Sequence, residues 1–217
     1  MSEHQPTRLV LVRHGESIVT VNRVIGGFRT CQGLSPLGRV QAERLRDRLA
    51  GTGEIRADHL YASNFARARE TAEIIAPALG GLPVQEDSGF GEHDPGPDWD
   101  GLTYDAFFER LGSDLDWDDP FAETFPGGET IAGFHFRVGS AAHQLVRRHP
   151  GATIVIACHG GVIDTLLRQF LRLPPTGGFE LRAENTSLTE FLLVRPGMWR
   201  LIRYNDVSHL HGLVSPS

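Results

Sequence analysis

The sequence predicts an α/β fold, a three-layer α/β/α sandwich with a mostly parallel central sheet and a small lid insertion. Three observations indicate this fold class. Short apolar segments typical of strands alternate with helical segments along the 217 residues. The run TIVIAC at 153–158 is continuously apolar, as expected for a strand covered on both faces. No internal repeat or linker divides the chain, so residues 1–217 are expected to form a single domain.

The individual elements follow from caps, breakers and apolar runs. Ser35 caps a helix that has Pro36 in its first turn. The apolar residues of this helix are Leu37, Val40, Leu45 and Leu49. A second helix begins at about Phe65, and Pro77 marks its end or a kink. Further helices are expected at 102–111, 129–149 and 162–171, and strands at 8–13, 59–62, 83–85, 153–158, 187–194 and 199–204.

The charge of the chain is unevenly distributed, although the formal total is −6. Between Glu86 and Asp119, twelve acidic residues accompany a single base, Arg110. This stretch is rich in Gly and Pro, and we expect the segment at about 87–128 to form an acidic lid over the sheet. No basic stripe with interleaved aromatic residues is present, so a nucleic-acid partner is not expected.

Composition also limits the compartment and the cofactors. No apolar run reaches the roughly 20 residues of a membrane helix, and the N-terminal residues resemble no signal peptide, so a cytoplasmic protein is expected. Cys31 and Cys158 are too few for a disulfide framework, and Cys158 closes an apolar strand where a buried, unreactive thiol is expected. No cysteines or histidines have the spacing of zinc ligands, so we expect neither a metal nor another cofactor.

Two of the apolar strands end in the dipeptide His-Gly, at His14 and at His159. Ligands of open α/β sheets bind outside the carboxyl ends of the strands, where both imidazoles would meet if the strands are neighbours. The glycine after each histidine lets a ligand approach the backbone closely, which makes Gly160 a further candidate. The alternative is that either histidine is a satisfied turn or core residue.

Two arginines are candidates for holding an anion beside these histidines. Arg13 ends the first strand, where a buried charge is costly unless a dianion pairs with it; a salt bridge to Glu16 or Asp206 is the alternative. Arg67 lies in the first turn of a helix that begins at a strand end, a position whose backbone amides favour anions. Arg69 competes with Arg67, but it lies about 200° away around the helix, so only one of them can face the site. We favour Arg67.

Two arginines and two histidines without a metal suit phosphoryl transfer. Arginine and protonated histidine stabilise charge on the equatorial oxygens, while a neutral imidazole attacks the phosphorus in line. An acid is then needed to protonate the departing alkoxide.

The motifs that carry this chemistry resemble those of the histidine phosphatase superfamily, the phosphoglycerate mutase-like family. They are, in chain order, RHGES at 13, LSPLGRVQA at 34, SNFARARETA at 63, GEHDPGPDWDGLT at 91, PGGET at 126, ACHGGVI at 157, NTSLTEF at 185 and YNDVSHL at 204. The resemblance implies that His14 becomes phosphorylated and that Arg13, Arg67 and His159 hold the phosphoryl group. It also implies that Glu92 is the proton donor, and a crowded acidic loop favours the protonated carboxyl that this role needs. Asp94 is the second candidate.

The resemblance has departures in the segment after His14. Family members often carry an asparagine six residues after the nucleophilic histidine, where this chain has Thr20, and Asn22 follows two residues later. The loop at 25–33 is also one residue longer than the common pattern. Thr20, Asn22 and the backbone of Gly26 and Gly27 are therefore candidates for phosphate binding.

The resemblance covers more than one activity, and the lid favours one of them. Family mutases carry a basic segment after the proton donor, whereas this chain has the acidic HDPGPDWDG, which disfavours a second phosphate. We therefore predict a metal-independent phosphomonoesterase for a small substrate with one phosphate and a neutral or cationic remainder. The alternatives are a phosphoglycerate mutase-type isomerase and a catalytically silent binding protein.

A monomer or homodimer is expected. The remaining histidines of interest, His135, His143, His149 and His209, are expected to be structural or exposed, with His209 supporting the sheet edge.

Overall fold

A computed structural model describes residues 5–111 and 119–213 of the chain. The strands are β1 (Thr7–Arg13), β2 (His59–Ala62), β3 (Val84–Glu86), β4 (Thr153–Cys158), β5 (Leu188–Arg195) and β6 (Met198–Asp206). The helices are α1 (Ile18–Val21), α2 (Pro36–Thr52), α3 (Ala66–Ile75), α4 (Tyr104–Leu111), α5 (Ile131–Arg148) and α6 (Gly160–Leu171). Asp114, Asp116 and Asp118, which belong to the predicted acidic lid, lie outside the described residues.

The strands form one mixed sheet in the order β3-β2-β4-β1-β5-β6. The first four of these strands are parallel to one another, and β5 runs antiparallel to both β1 and β6. Because β1 and β4 are adjacent with Arg13 opposite Cys158, the two segments that follow them leave the sheet side by side. The predicted α/β fold with a mostly parallel sheet is confirmed.

Two apolar cores, one on each face of the sheet, make the three layers. Along β1, Leu9 and Leu11 pack on the side of α5 and α6, whereas Val10 and Val12 pack on the side of α2 and α3. Successive side chains of a strand point to opposite faces, so a strand covered by helices on both sides must be apolar throughout. This alternation explains why the central strands read as continuous apolar runs.

The structure differs from the sequence expectations in a few local places. Ser35 caps α2 as predicted, since its Oγ accepts the N–H of Gly38 at 3.0 Å. Val40, however, is 40% exposed, while the neighbouring Gln41 is buried and accepts the backbone N–H of Glu16 at 2.8 Å. The short helix α1 was not anticipated, because four residues are too few to show a helical period. Among the described residues, no helix is long and apolar enough to cross a bilayer.

The lid segment is connected to the loop between α1 and α2 through Asp100. The carboxylate of Asp100 accepts the backbone N–H groups of Gly27 and Arg29, each at 2.9 Å, and the hydroxyl of Thr30. Trp99, the preceding residue, is buried and donates its indole N–H to the carbonyl of Pro126 at 2.9 Å. Asp100 therefore connects the lid to this loop, while the bond of Trp99 lies within the lid itself.

A network of charged side chains ties the end of β6 to the rest of the sheet. Asp206 binds Arg48 of α2 with both carboxylate oxygens, at 2.6 and 3.0 Å, and contacts Arg203 at 3.2 Å. Arg203 also contacts Glu190, a buried residue of β5, at 2.8 Å. The hydrogen bonds from Arg48, foremost, hold the pKa of Asp206 well below its ordinary value.

We expect Asp206 to make the stability of the protein pH-dependent. Since its pKa is lower in the folded than in the unfolded chain, its stabilising contribution is complete above the unfolded pKa of about 3.9 and is lost as the pH falls through the folded value. Asp206→Asn should lower the free energy of unfolding at neutral pH by about 2 kcal/mol, and by much less in strong acid. Urea unfolding at neutral pH and in strong acid measures this difference in the free energy of unfolding. Asp47→Asn, at an exposed pair with Arg46, is the control; equal losses at both pH values for Asp206→Asn would contradict the prediction.

Candidate active site

His14 and His159 meet at the carboxyl edge of the sheet. His14 directly follows β1, and His159 directly follows β4 and caps the N-terminus of α6. Their ring centroids lie 5.1 Å apart with an angle of 63° between the planes. His14 is 5% exposed and His159 is fully buried. The adjacency of the two strands therefore brings together the two histidines that the sequence singled out.

The hydrogen bonds of His14 define which ring nitrogen carries the proton and which is unprotonated. Its Nδ1 lies 2.7 Å from the carbonyl oxygen of Gly15, so Nδ1 carries the proton and donates it. The Nε of Arg67 donates to the other nitrogen, Nε2, at 3.1 Å. The lone pair of Nε2 therefore faces a buried guanidinium, where an anion would be drawn.

We infer the tautomer of His159 from its contact with Ser63 at the end of β2. The backbone N–H of Phe65 donates to Ser63 Oγ at 3.2 Å, so the hydroxyl hydrogen is available for His159 Nε2, 2.8 Å away. With Nε2 accepting, the proton of the neutral ring lies on Nδ1. Nδ1 is buried without a hydrogen-bond partner among the described residues. Such a donor suits an oxyanion bound between the strand ends.

The guanidinium of Arg13 is a second, partly buried cation with an unused donor. One of its terminal nitrogens donates to the carbonyl of Ala183, while Nε has no partner in the described chain. The structural salt bridges considered for Arg13 are not formed, because Glu16 accepts from Ser35 at 2.6 Å and Asp206 pairs with Arg48.

The structure places Arg67, and not Arg69, beside the histidines. Arg67 is 4% exposed, contacts His14 and donates to the carbonyl of Gly26 at 3.1 Å. Arg69 is half exposed and lies near Glu73 and Glu86 at 3.8 and 3.5 Å. The opposite placement of the two arginines follows from their angular separation on α3.

Burial lowers the pKa of His14 well below its ordinary value, and the positive charges of Arg67 and Arg13 act in the same direction. Burial and the charge of Arg67 likewise lower the pKa of His159. Both rings are therefore neutral near pH 7 in the ligand-free site. The protonated histidine expected beside a bound phosphate therefore differs from this ligand-free state, in which burial, foremost, keeps both rings neutral.

Glu92 lies at the N-terminus of α6, next to His159. Its Oε2 accepts the backbone N–H of Gly161 at 3.2 Å, and Oε1 accepts the N–H of His93 at 3.0 Å. Asp94, the other carboxyl considered, is exposed and accepts the N–H of Gly96 at 2.9 Å. Both line a cleft of about 540 Å³, whose other walls include Phe28, Asn64, Phe65, Gly128, Glu129 and Arg137.

A comparison with known protein families decides the assignment of this site. The family model described as histidine phosphatase superfamily (branch 1) matches residues 9–207. The chain belongs to the histidine phosphatase superfamily. The match covers nearly the whole chain and includes every motif that carried the resemblance, except the last three residues of YNDVSHL.

The relatives of this histidine phosphatase include mutase-like and phosphatase proteins. Phosphoglycerate mutase-like protein 4 of Arabidopsis thaliana is 34% identical over an alignment of 210 residues that covers 93% of this chain and 86% of the relative. The metal-independent phosphoserine phosphatase of the same plant is 28% identical and covers 96% and 85% of the two chains. A solved mycobacterial glucosyl-3-phosphoglycerate phosphatase in complex with VO3 has a TM-score of 0.75 at 28% identity, with 91% of this chain and 98% of that chain covered. The family and its phosphatase members make this chain a phosphatase.

Some predicted phosphate-binding candidates of this histidine phosphatase lie in the site and others do not. Gly160 lies beside Arg13, since a Cβ added to this glycine would be 3.7 Å from Arg13 Nε. The carbonyl of Gly26 accepts a hydrogen bond from Arg67. Thr20 is exposed, and its hydroxyl bonds with Ser17 at 2.8 Å. Asn22 is exposed at the end of α1. Neither Thr20 nor Asn22 shows a contact with the histidines or arginines of this site in the described chain.

Sequence reasoning missed several residues that complete the site. Ser63 sets the tautomer of His159, and the amide nitrogen of Asn185 donates to the carbonyl of His14 at 2.9 Å. The residue after Asn185, Thr186, bonds with His209 at 2.9 Å, which places His209 behind the loop beside the nucleophile. Ser63 follows β2 as His14 follows β1, so the rule that pointed to the strand ends also applied to Ser63.

The structure also describes the residues to which the sequence assigned no catalytic role in this phosphatase. In the two described ranges, no group of three His, Cys, Asp or Glu residues could hold a metal ion. Cys158 is buried as predicted, and burial raises its pKa. His149 bonds with the hydroxyl of Tyr61 at 2.9 Å, and His143 is exposed.

Proposed function

We propose that this protein is a metal-independent phosphomonoesterase that hydrolyses a small phosphorylated metabolite through a phosphohistidine at His14. One observation carries the proposal: the unprotonated Nε2 of a buried, neutral His14 faces the guanidinium of Arg67. A neutral imidazole is a nucleophile, and a cation beside it draws the phosphate into line with the lone pair.

In the first step, the lone pair of His14 Nε2 forms a bond to phosphorus while the bond to the ester oxygen breaks. Arg13, Arg67 and the Nδ1–H of His159 stabilise the charge on the equatorial oxygens. Glu92, in its protonated form, gives its proton to the departing oxygen, so that the alcohol leaves neutral. Nδ1 of His14 keeps its proton and its hydrogen bond to Gly15.

In the second step, water attacks the phosphohistidine. The carboxylate of Glu92 accepts a proton from the water as its oxygen bonds to phosphorus. The nitrogen–phosphorus bond breaks, its electron pair returns to Nε2, and inorganic phosphate leaves. Glu92 is then protonated again and the site is ready for a second substrate.

The cleft beside Glu92 favours a substrate without a second anionic group. Its walls include the exposed carboxyl of Asp94 and the half-exposed ring of Phe28. Arg137 is a cation among the described lining residues, but Glu129 neutralises it at 2.7 Å. An anionic remainder would therefore meet a carboxylate without a free cation, whereas a neutral or cationic one would not.

A substrate comparison tests the proposal. With EDTA present, between about pH 4.5 and 8.5, we expect hydrolysis of p-nitrophenyl phosphate and of phosphocholine. The kcat/KM for 3-phosphoglycerate should be at least roughly fivefold lower than for phosphocholine. Isomerisation of 3-phosphoglycerate faster than its hydrolysis, with its bisphosphate as primer, would instead assign a mutase. Loss of all activity in EDTA would overturn the metal-independent mechanism, and no turnover at all would leave a binding protein.

A further inference from the structure

Arg137 of α5 forms an ion pair that fixes the plane of its guanidinium. Its Nε donates to Glu129 Oε1 at 2.9 Å, and one terminal nitrogen donates to Oε2 at 2.7 Å. Such a two-pronged contact holds a guanidinium in one orientation, which a lysine at the same position cannot reproduce.

The other donors of Arg137 all point to one short stretch of backbone. They contact the carbonyl oxygens of Ser88 (3.3 Å), Gly89 (3.2 Å), Gly91 (3.1 Å) and Glu92 (3.3 Å). A guanidinium has five N–H groups, so these carbonyls and Glu129 use all of them. Although Arg137 lines the cleft, no donor remains for a substrate anion.

The partner of Arg137 fixes the chain on the other side of Glu92. The backbone N–H of Glu129 donates to the carbonyl of Asp94 at 2.9 Å, and Nε2 of His93 donates to the carbonyl of Glu129 at 2.6 Å. Glu92 is thus bounded on both sides by backbone that Arg137 and Glu129 hold. Among the described residues, its own carboxylate has two backbone N–H contacts to orient it, from His93 and Gly161.

We propose that Arg137 is a positioning residue for proton transfer by Glu92. The inference rests on the proposed function, since it gives Arg137 a role only through the acid of that reaction. Loss of the guanidinium leaves the carbonyls of 88–92 without their shared donor and lets the carboxyl of Glu92 move away from the ester oxygen. A displacement of about 1 Å in such a group slows the chemistry on the order of 100-fold.

The leaving group of the substrate separates this role from a general loss of structure. An alkyl alcohol needs a proton to depart, whereas p-nitrophenolate departs without one. We expect Arg137→Lys to lower kcat/KM for β-glycerol phosphate by about 10- to 100-fold, and that for p-nitrophenyl phosphate by no more than about threefold. In a Glu92→Gln background, Arg137→Lys should cause no additional loss with β-glycerol phosphate, because the group through which it acts is gone.

Two further variants keep the test decisive. Glu129→Gln, which leaves Arg137 in place but weakens its anchor, should give the same selective loss to a smaller extent. Arg147→Lys, at an exposed site on the same helix, should change neither substrate. Equal losses on both substrates in folded Arg137→Lys and Glu129→Gln, or a loss that persists with Glu92→Gln, would overturn the positioning role. Failure of the wild type on both substrates would overturn the proposed function itself.

Discussion

Replacement of His14 by alanine is expected to lower kcat/KM for every phosphomonoester by a factor on the order of 10⁴ or more. The reason is that the variant keeps Arg13, Arg67 and His159 but has no atom that can bond to phosphorus. Rapid quenching of the wild type during turnover should trap a phosphoenzyme that is stable in base and labile in acid, as a phosphohistidine is. The trapped phosphate should map to His14 by peptide analysis and be absent from the variant.

The matched control for this substitution is His143→Ala, which removes an exposed imidazole from α5 and should leave both the activity and the amount of trapped phosphoenzyme unchanged.

The pH dependence of kcat/KM provides an independent check of the nucleophile. Because the pKa of His14 is lowered by burial, its ring remains the neutral nucleophile below its ordinary value of about 6.5. The kcat/KM should therefore show no acidic limb centred near 6.5. A phosphoenzyme of undiminished amount in His14→Ala would disprove the assignment of the nucleophile.

Replacement of Glu92 by glutamine should produce the second largest effect, and its size should depend on the leaving group. For β-glycerol phosphate, kcat/KM should fall by about 10²- to 10⁴-fold, the usual contribution of a general acid. For p-nitrophenyl phosphate, the phosphorylation step should be nearly normal because its leaving group needs no proton. Hydrolysis of the phosphohistidine should slow with either substrate, since Glu92 also accepts the proton of water. A burst of p-nitrophenolate followed by a slow steady state is therefore expected.

Two substitutions in the lid make the assignment of the acid specific. Glu109→Gln applies the same chemical change to an exposed residue of α4 and should be silent. Asp94→Asn keeps the oxygen that binds Gly96, and we expect it to spare the leaving-group dependence. If Asp94→Asn gave the selective loss and Glu92→Gln did not, the proton donor would be Asp94.

The central part of the fold was predictable because its signals are local and strong. The run 153–158 is too apolar to be an exposed segment, so it predicts a buried strand. Because this strand ends at His159, it places a reactive side chain at the edge of the sheet, whichever strands are its neighbours. Ser35 and Pro36 likewise define the start of α2 within a few residues. The helix α1 has no such signal, since its four residues are held by a loop rather than by a periodic apolar face.

Arg137 and Asn185 could not be predicted as supporting residues of the site, because each acts through the backbone of a distant segment. Arg137 contacts carbonyl groups more than 40 residues away, and carbonyl groups are present at every residue. Asn185 binds the carbonyl of His14 across 171 positions of sequence. The sequence identifies the side chains that react. The donors that hold the backbone of these side chains are known only once the three-dimensional structure is known.

The contacts of Asp100 make the lid and the phosphate site thermodynamically dependent on each other. Asp100 belongs to the segment that also carries Glu92, and it holds Gly27, the neighbour of the carbonyl that orients Arg67. A molecule that stabilises this arrangement by filling the cleft therefore also favours the orientation of Arg67 that grips an oxyanion. By linkage, an anion held by Arg67 must increase the affinity of the cleft by the same factor. Inorganic phosphate and the released alcohol are then expected to raise each other's affinity, so that loss of one product weakens the binding of the other.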